Sequence, residues 1–109
     1  MNIYALSSGR GPSGIAIVRI SGNNTLQVCK NLTQLKKLKL NEVNYCKLYD
    51  PKSNNIIDPE ALLLWFEAPN SYTGDDLAEF QVHGSNAVIS ALLKALSEHD
   101  NCRLAEPGE

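Results

Sequence analysis

Few side chains in this sequence could do chemistry, and the two most informative stand inside apolar, strand-like stretches. Arg19 shares a strand face with Ile15 and Ile17, and Glu79 lies on a face that runs Leu77, Glu79, Gln81, His83. A charge at the centre of a strand needs a partner or water. Three readings follow: separate solvation on a one-sided sheet, mutual pairing, or a cleft in which both groups hold a planar polar ligand. In the last, Arg19 offers a planar fork to oxygen acceptors and Glu79 accepts from adjacent N–H donors. Pattern alone favours solvation or mutual pairing.

The other candidates carry less. His83 ends a strand before Gly84, a position as compatible with structure as with function. His99, between Glu98 and Asp100, reads as a solvated helix cap. Cys29 falls on the apolar stripe of a helix and reads as core. Cys29, Cys46 and Cys102 are spaced as neither a disulfide framework nor a metal site, which suits a reducing compartment. No Ser-His-Asp or Cys-His arrangement can be assembled. Gly9-Arg10-Gly11-Pro12-Ser13-Gly14 matches G-x-G-x-x-G, but it opens the β-branched run 15–20 rather than a helix, so it is no dinucleotide fingerprint. No Walker A loop occurs, so these residues alone should hydrolyse neither GTP nor ATP.

The elements that must position these side chains are legible in the periodicity. Residues 3–6, 14–20, 43–49, 61–66, 77–83 and 102–105 read as strands, and Ile56-Ile57 as a possible strand start. The continuous apolar run 61–66 is the signature of a strand buried on both faces. Residues 25–35 carry Leu26, Cys29, Leu32 and Leu35 at helical spacing; Val88, Ile89, Leu92, Leu93 and Leu96 form a second stripe, N-capped by Ser85. The order β-β-α-β-β-β-α-β argues an α+β fold, a mixed sheet with two helices. The ten-residue loop 67–76 is long enough to be functional.

At 109 residues the chain is one domain, with a formal net charge of −2 and an isoelectric point near 5.6. No global basic field draws it to nucleic acid, so RNA binding would need a local patch or a second domain. It shows no signal peptide and no apolar run near the ~18 residues of a membrane span. The ending Arg103-Leu104-Ala105-Glu106-Pro107-Gly108-Glu109 reads as a strand end and a turn leading onward, a domain cut short.

Four ordered stretches together resemble the amino-terminal domain of the MnmE/TrmE family of tRNA modification GTPases. They are Tyr4-Ala5-Leu6-Ser7-Ser8-Gly9-Arg10-Gly11 with the following 14–22, Ala68-Pro69-Asn70-Ser71-Tyr72-Thr73-Gly74-Asp75-Asp76, the 77–84 segment ending His83-Gly84, and 103–109. The departures are Asp75 for the usual Glu, Ser85 for a second Gly, and Glu67 where proline is common.

The resemblance implies a folate-binding-domain-like fold in which residues 1–109 form a folate-binding, dimerising domain, truncated before a segment that holds a further folate-contacting lysine. It places the family's folate-contacting arginine on Arg19 and its glutamate on Glu79, with no catalytic or metal-binding residue in this chain. His83 and the 70–74 loop are second-tier candidates. The implied cofactor is a tetrahydrofolate derivative, 5-formyl- or 5,10-methylene-tetrahydrofolate, serving as the one-carbon source. GTP, Mg and K ions would bind outside these residues. The implied partners are a second copy, the flavin-dependent protein MnmG and tRNA, in the cytoplasm and without a membrane. The implied product is 5-carboxymethylaminomethyluridine at the wobble position. Two other readings stay open: a structural dimerisation module without ligand, and a stand-alone aminomethyltransferase-like folate protein. The homodimer expectation has its own motive, that residues 3–6 form an edge strand free to pair with a second copy.

Overall fold

A computed structural model describes residues 1–7, 14–68 and 74–107. Its elements are β1 (Asn2–Leu6), β2 (Ile15–Ser21), α1 (Thr25–Thr33), β3 (Val43–Tyr49), β4 (Ile56–Phe66), β5 (Leu77–His83), α2 (Asn86–Ser97) and β6 (Cys102–Leu104). The order and the α+β class are those read from the sequence. The six strands form one mixed sheet, β3-β4-β5-β2-β1-β6, antiparallel except for the β1–β6 pair.

Both helices pack on one face of the sheet, and the alternation of side chains follows from that. Ala16, Val18 and Ile20 of β2, Leu63 and Trp65 of β4, and Ala78, Phe80 and Val82 of β5 face the helices and are buried. Val28, Cys29 and Leu32 of α1 and Ile89, Leu92, Ala95 and Leu96 of α2 close over them. Among the described residues the opposite face carries no helix. The expectation that 61–66 is buried on both faces is therefore corrected: Ala61, Leu63 and Trp65 are buried, whereas Leu62, Leu64 and Phe66 are half-buried. Ile56-Ile57 and 61–66 also prove to be one strand. It is interrupted in register between Cys46–Ala61 and Leu48–Asp58, beside Pro59, which cannot donate to a ladder.

Helix ends follow local chemistry. Ser85 caps α2, its hydroxyl accepting from Val88 N at 3.2 Å. α1 stops at Thr33, short of Leu35, because Gln34 turns left-handed at φ 60°. At its start, Asn24 makes no side-chain cap; the buried Asn2 instead holds the cap residue in place, its Oδ1 accepting from Asn24 N at 3.0 Å. This contact explains Gly22, whose φ is +139°. A Cβ there would lie 2.1 Å from Asn2 Oδ1 and 2.8 Å from the Asn2 Cα.

One expectation about assembly is corrected. β1 is no edge strand: β2 pairs with one side of it and β6 with the other. The sheet's edges are β3 and β6. Removing residues 1–6 would excise an internal strand and cannot serve as a clean probe of self-association.

Candidate functional site

The antiparallel register of β2 and β5 sets Arg19 directly opposite Glu79, on the helix-free face. Arg19 Nε donates to Glu79 Oε1 at 2.9 Å, and Gln81 Nε2 donates to Glu79 Oε2, also at 2.9 Å. The sequence expectation of mutual pairing is thus met in geometry. Neighbouring strands supply an apolar setting, since Leu64 of β4 stands across from Glu79 and Ala5 of β1 across from Arg19. The Glu79 side chain is 15% exposed and that of Arg19 52%, so the carboxylate is recessed while the guanidinium reaches into solvent.

The pairing leaves chemical capacity. A carboxylate offers about four lone-pair positions, and each Glu79 oxygen has spent one on a neighbouring side chain. One position on each oxygen remains, which suits two adjacent N–H donors on a planar ligand. The arrangement can therefore bind and orient such a ligand in a partly desolvated setting.

His83 lies at the far end of β5, about 13 Å along the strand from Glu79 at ~3.3 Å per residue. It has a structural partner. Its Nδ1 lies 2.9 and 3.1 Å from the two carboxylate oxygens of Asp58, and its backbone N donates to Asp58 Oδ2 at 2.9 Å. Asp58 is fully buried and also accepts from Glu60 N at 2.9 Å. The carboxylate thus replaces the ladder partners lost at the irregularity around Pro59, and it orients the imidazole. With Asp58 accepting at Nδ1, the ring proton sits there and Nε2 is left as the acceptor. His83 lines a small cavity of about 180 Å³ with Gly14, Ile15, Glu60, Leu62 and Gln81. Sequence reading missed Asp58. The available signal was an Asp-Pro pair set within an otherwise strand-like stretch.

The second-tier loop divides. Residues 70–73 lie outside the described residues. The flanks Ala68 and Asp76 meet where Ala68 N donates to Asp76 Oδ1 at 2.9 Å, and Gly22 N donates to Asp76 O at 3.0 Å. These flanks lie at the Leu77 end of β5, opposite His83. Arg19 and Glu79 sit between the two. His99 is more engaged than a solvated cap, for its Nδ1 lies 3.0 Å from Ala95 O and its Nε2 lies 3.3 Å from Asn31 Nδ2 of α1. The G-x-G-x-x-G segment at 9–14 falls mostly outside the described residues, and Gly14 leads into β2 as a strand-opening glycine should.

Burial pushes the Cys46 thiol up to about 11, with the nearby Asp58 charge adding to the shift. Cys29 and Cys102 are also raised, mainly by burial. All three are free thiols with no raised reactivity at neutral pH. Among the described residues no cluster of three or more His, Cys, Asp or Glu could hold a metal ion, and no helix is long and apolar enough to cross a membrane.

Comparison with known proteins places this geometry in context. Residues 2–109 match the family described as GTP-binding protein TrmE N-terminus. A tRNA modification GTPase MnmE of Pelagibacter ubique is 50% identical over 109 residues, covering 100% of this chain and 24% of that protein. Those of Zymomonas mobilis and Rickettsia bellii are 47% and 44% identical over 107 residues, each covering 98% of this chain and 24% of the relative. The chain thus spans about a quarter of the length of the curated relatives it matches. With a match across the whole sheet, from β1 to β6, the chain belongs to the TrmE amino-terminal family.

Proposed function

We propose that this chain is the folate-binding, dimerising domain of a tRNA modification GTPase, and that a reduced folate docks on the helix-free face at Arg19 and Glu79. The observation that carries the reading is the recessed Glu79 carboxylate, held by Arg19 and Gln81 with one acceptor position left on each oxygen. A pterin ring presents N3–H and a 2-amino group side by side, which matches those two positions. The Arg19 guanidinium, half-exposed, has donors left for the pterin carbonyl or a tail carboxylate. Bound there, a 5-formyl- or 5,10-methylene-tetrahydrofolate would supply a one-carbon unit. The role of these residues is to bind and orient it.

In the whole protein the one-carbon unit would serve formation of 5-carboxymethylaminomethyluridine at the tRNA wobble position, together with MnmG, in the cytoplasm. The names of the relatives support tRNA modification and GTPase activity as properties of proteins that contain this domain.

Calorimetry with 5-formyl-tetrahydrofolate tests the site. Glu79→Gln replaces an acceptor with a donor that faces the ligand's own donors. It should cost on the order of 2 kcal/mol, or ~30-fold in affinity. Equal affinity for the wild type and Glu79→Gln would overturn the assignment. Absence of binding by the wild type would favour the ligand-free dimerisation reading instead.

A further inference from the structure

The chain is acidic overall, but its charge is unevenly placed. Residues 30–52 hold six lysines, at 30, 36, 37, 39, 47 and 52, against Glu42 and Asp50, a formal +4. Everything else holds Arg10, Arg19, Lys94 and Arg103 against ten carboxylates, a formal −6. Lys36, Lys37, Lys39 and Lys47 are exposed, and none of the four is in an ion pair among the described residues. Lys52, by contrast, pairs with Glu98 at 3.4 Å.

The fold places Lys47 on the edge strand β3 and brings the segment that carries Lys36, Lys37 and Lys39 to the same edge. The connection after α1 runs back beside β3 and is fastened there by Asn44, which is 5% exposed. Lys39 N donates to Asn44 Oδ1 at 2.7 Å, and Asn44 Nδ2 donates to Lys39 O at 3.0 Å. Leu38 packs on the core from the same segment. Next to Asn44, Tyr45 projects with 80% of its surface exposed, so its ring face is open to a stacking partner. Tyr45, Lys47 and Tyr49 line a cavity of about 630 Å³ at this edge, with Leu35 beside them and Glu60 as the only carboxylate among the described lining residues.

We propose that this edge is an RNA-binding surface: Lys36, Lys37, Lys39 and Lys47 contact phosphates, and an unpaired base stacks on Tyr45. Lys47 lines the cavity beside Tyr45, and the 36–39 segment that carries the other three lysines is tied to the same strand by Asn44; basic groups flanking an exposed aromatic are the combination that single-stranded nucleic acid requires. The proposal does not rest on folate binding: Glu79 lies two strands from β3, on β5, and Arg19 three, on β2.

Fluorescence anisotropy with a labelled single-stranded anticodon-loop RNA, at two or more salt concentrations, tests it. Lys36→Glu/Lys37→Glu/Lys39→Glu should weaken binding at least tenfold and lower the slope of log K against log salt by about 2. Tyr45→Ala should weaken it about fivefold or more with an unchanged salt slope. Lys94→Glu, on the exposed side of α2, changes net charge without touching the edge and should leave affinity within twofold. Circular dichroism melts establish that each variant is folded. No wild-type binding, a loss for Lys94→Glu as large per charge as for the edge lysines, or wild-type affinity in Tyr45→Ala would each overturn the proposal. Equal affinity for an acidic peptide would also overturn it, by marking a protein-docking edge.

Discussion

At the scale of single residues, two carboxylates near the same strand do different jobs. Asp58 is fully buried and satisfies two backbone N–H groups and an imidazole; Glu79 is reached by side chains only. Removing Asp58 leaves two part-buried amides without their acceptor and a void where a fully buried side chain stood, so Asp58→Ala should destabilise the fold by about 2 kcal/mol in urea unfolding. Arg19→Ala removes a half-exposed partner from a surface pair and should cost under about 1 kcal/mol. The reverse ranking would mean that the Arg19–Glu79 pair is a structural brace rather than a site held ready for a ligand. Gly22 is constrained in another way, because neither its φ nor the space beside Asn2 admits a side chain.

At the scale of elements, burial of thiols gives the sheet a pH dependence. The Cys46 thiol on β3 is raised from 9.0 to about 11, so the unfolded chain loses its proton first as pH climbs. The stabilisation is therefore complete below about pH 9 and lost as pH rises through about 11, a sign shared by Cys29 and Cys102. Thermal melts between pH 8.5 and 10.5 should fall less steeply for Cys46→Ala than for wild type, and parallel slopes would exclude this thiol as a contributor. The elements themselves were largely legible: β3 is found at the residues its alternation gave, and Ser85 caps α2 as its position indicated. Arg19 and Glu79 were legible because a charge between apolar strand residues breaks the pattern. Asp58 was not, since its partner is 25 residues away and is brought near only by the pairing of β4 with β5. Nor was the neighbour of β1. Periodicity specifies which face a side chain takes, and says nothing about which strand lies alongside.

For the whole molecule, one helical layer on a sheet leaves the other face partly apolar, with Leu62, Leu64 and Phe66 half-buried beside the charged pair. A face of this kind is a reasonable place for a second copy. In light scattering at micromolar concentration we expect twice the chain mass of 11.9 kDa, and a monomer mass throughout would refute the homodimer. The pairing of β1 with β6 has a different consequence, one in time rather than space. Asn2 N donates to Asn101 O at 2.7 Å, and β1 lies alongside Cys102–Leu104, so β1 is completed by residues about 100 positions later. On the ribosome, the outer edge of β1 stays open until residues 102–104 leave the exit tunnel. Such distant closure slows folding and leaves an adhesive edge in the interval. Nascent chains stalled with β6 still inside the tunnel should be cut readily by protease within β1, and chains stalled far enough beyond it to expose β6 should resist.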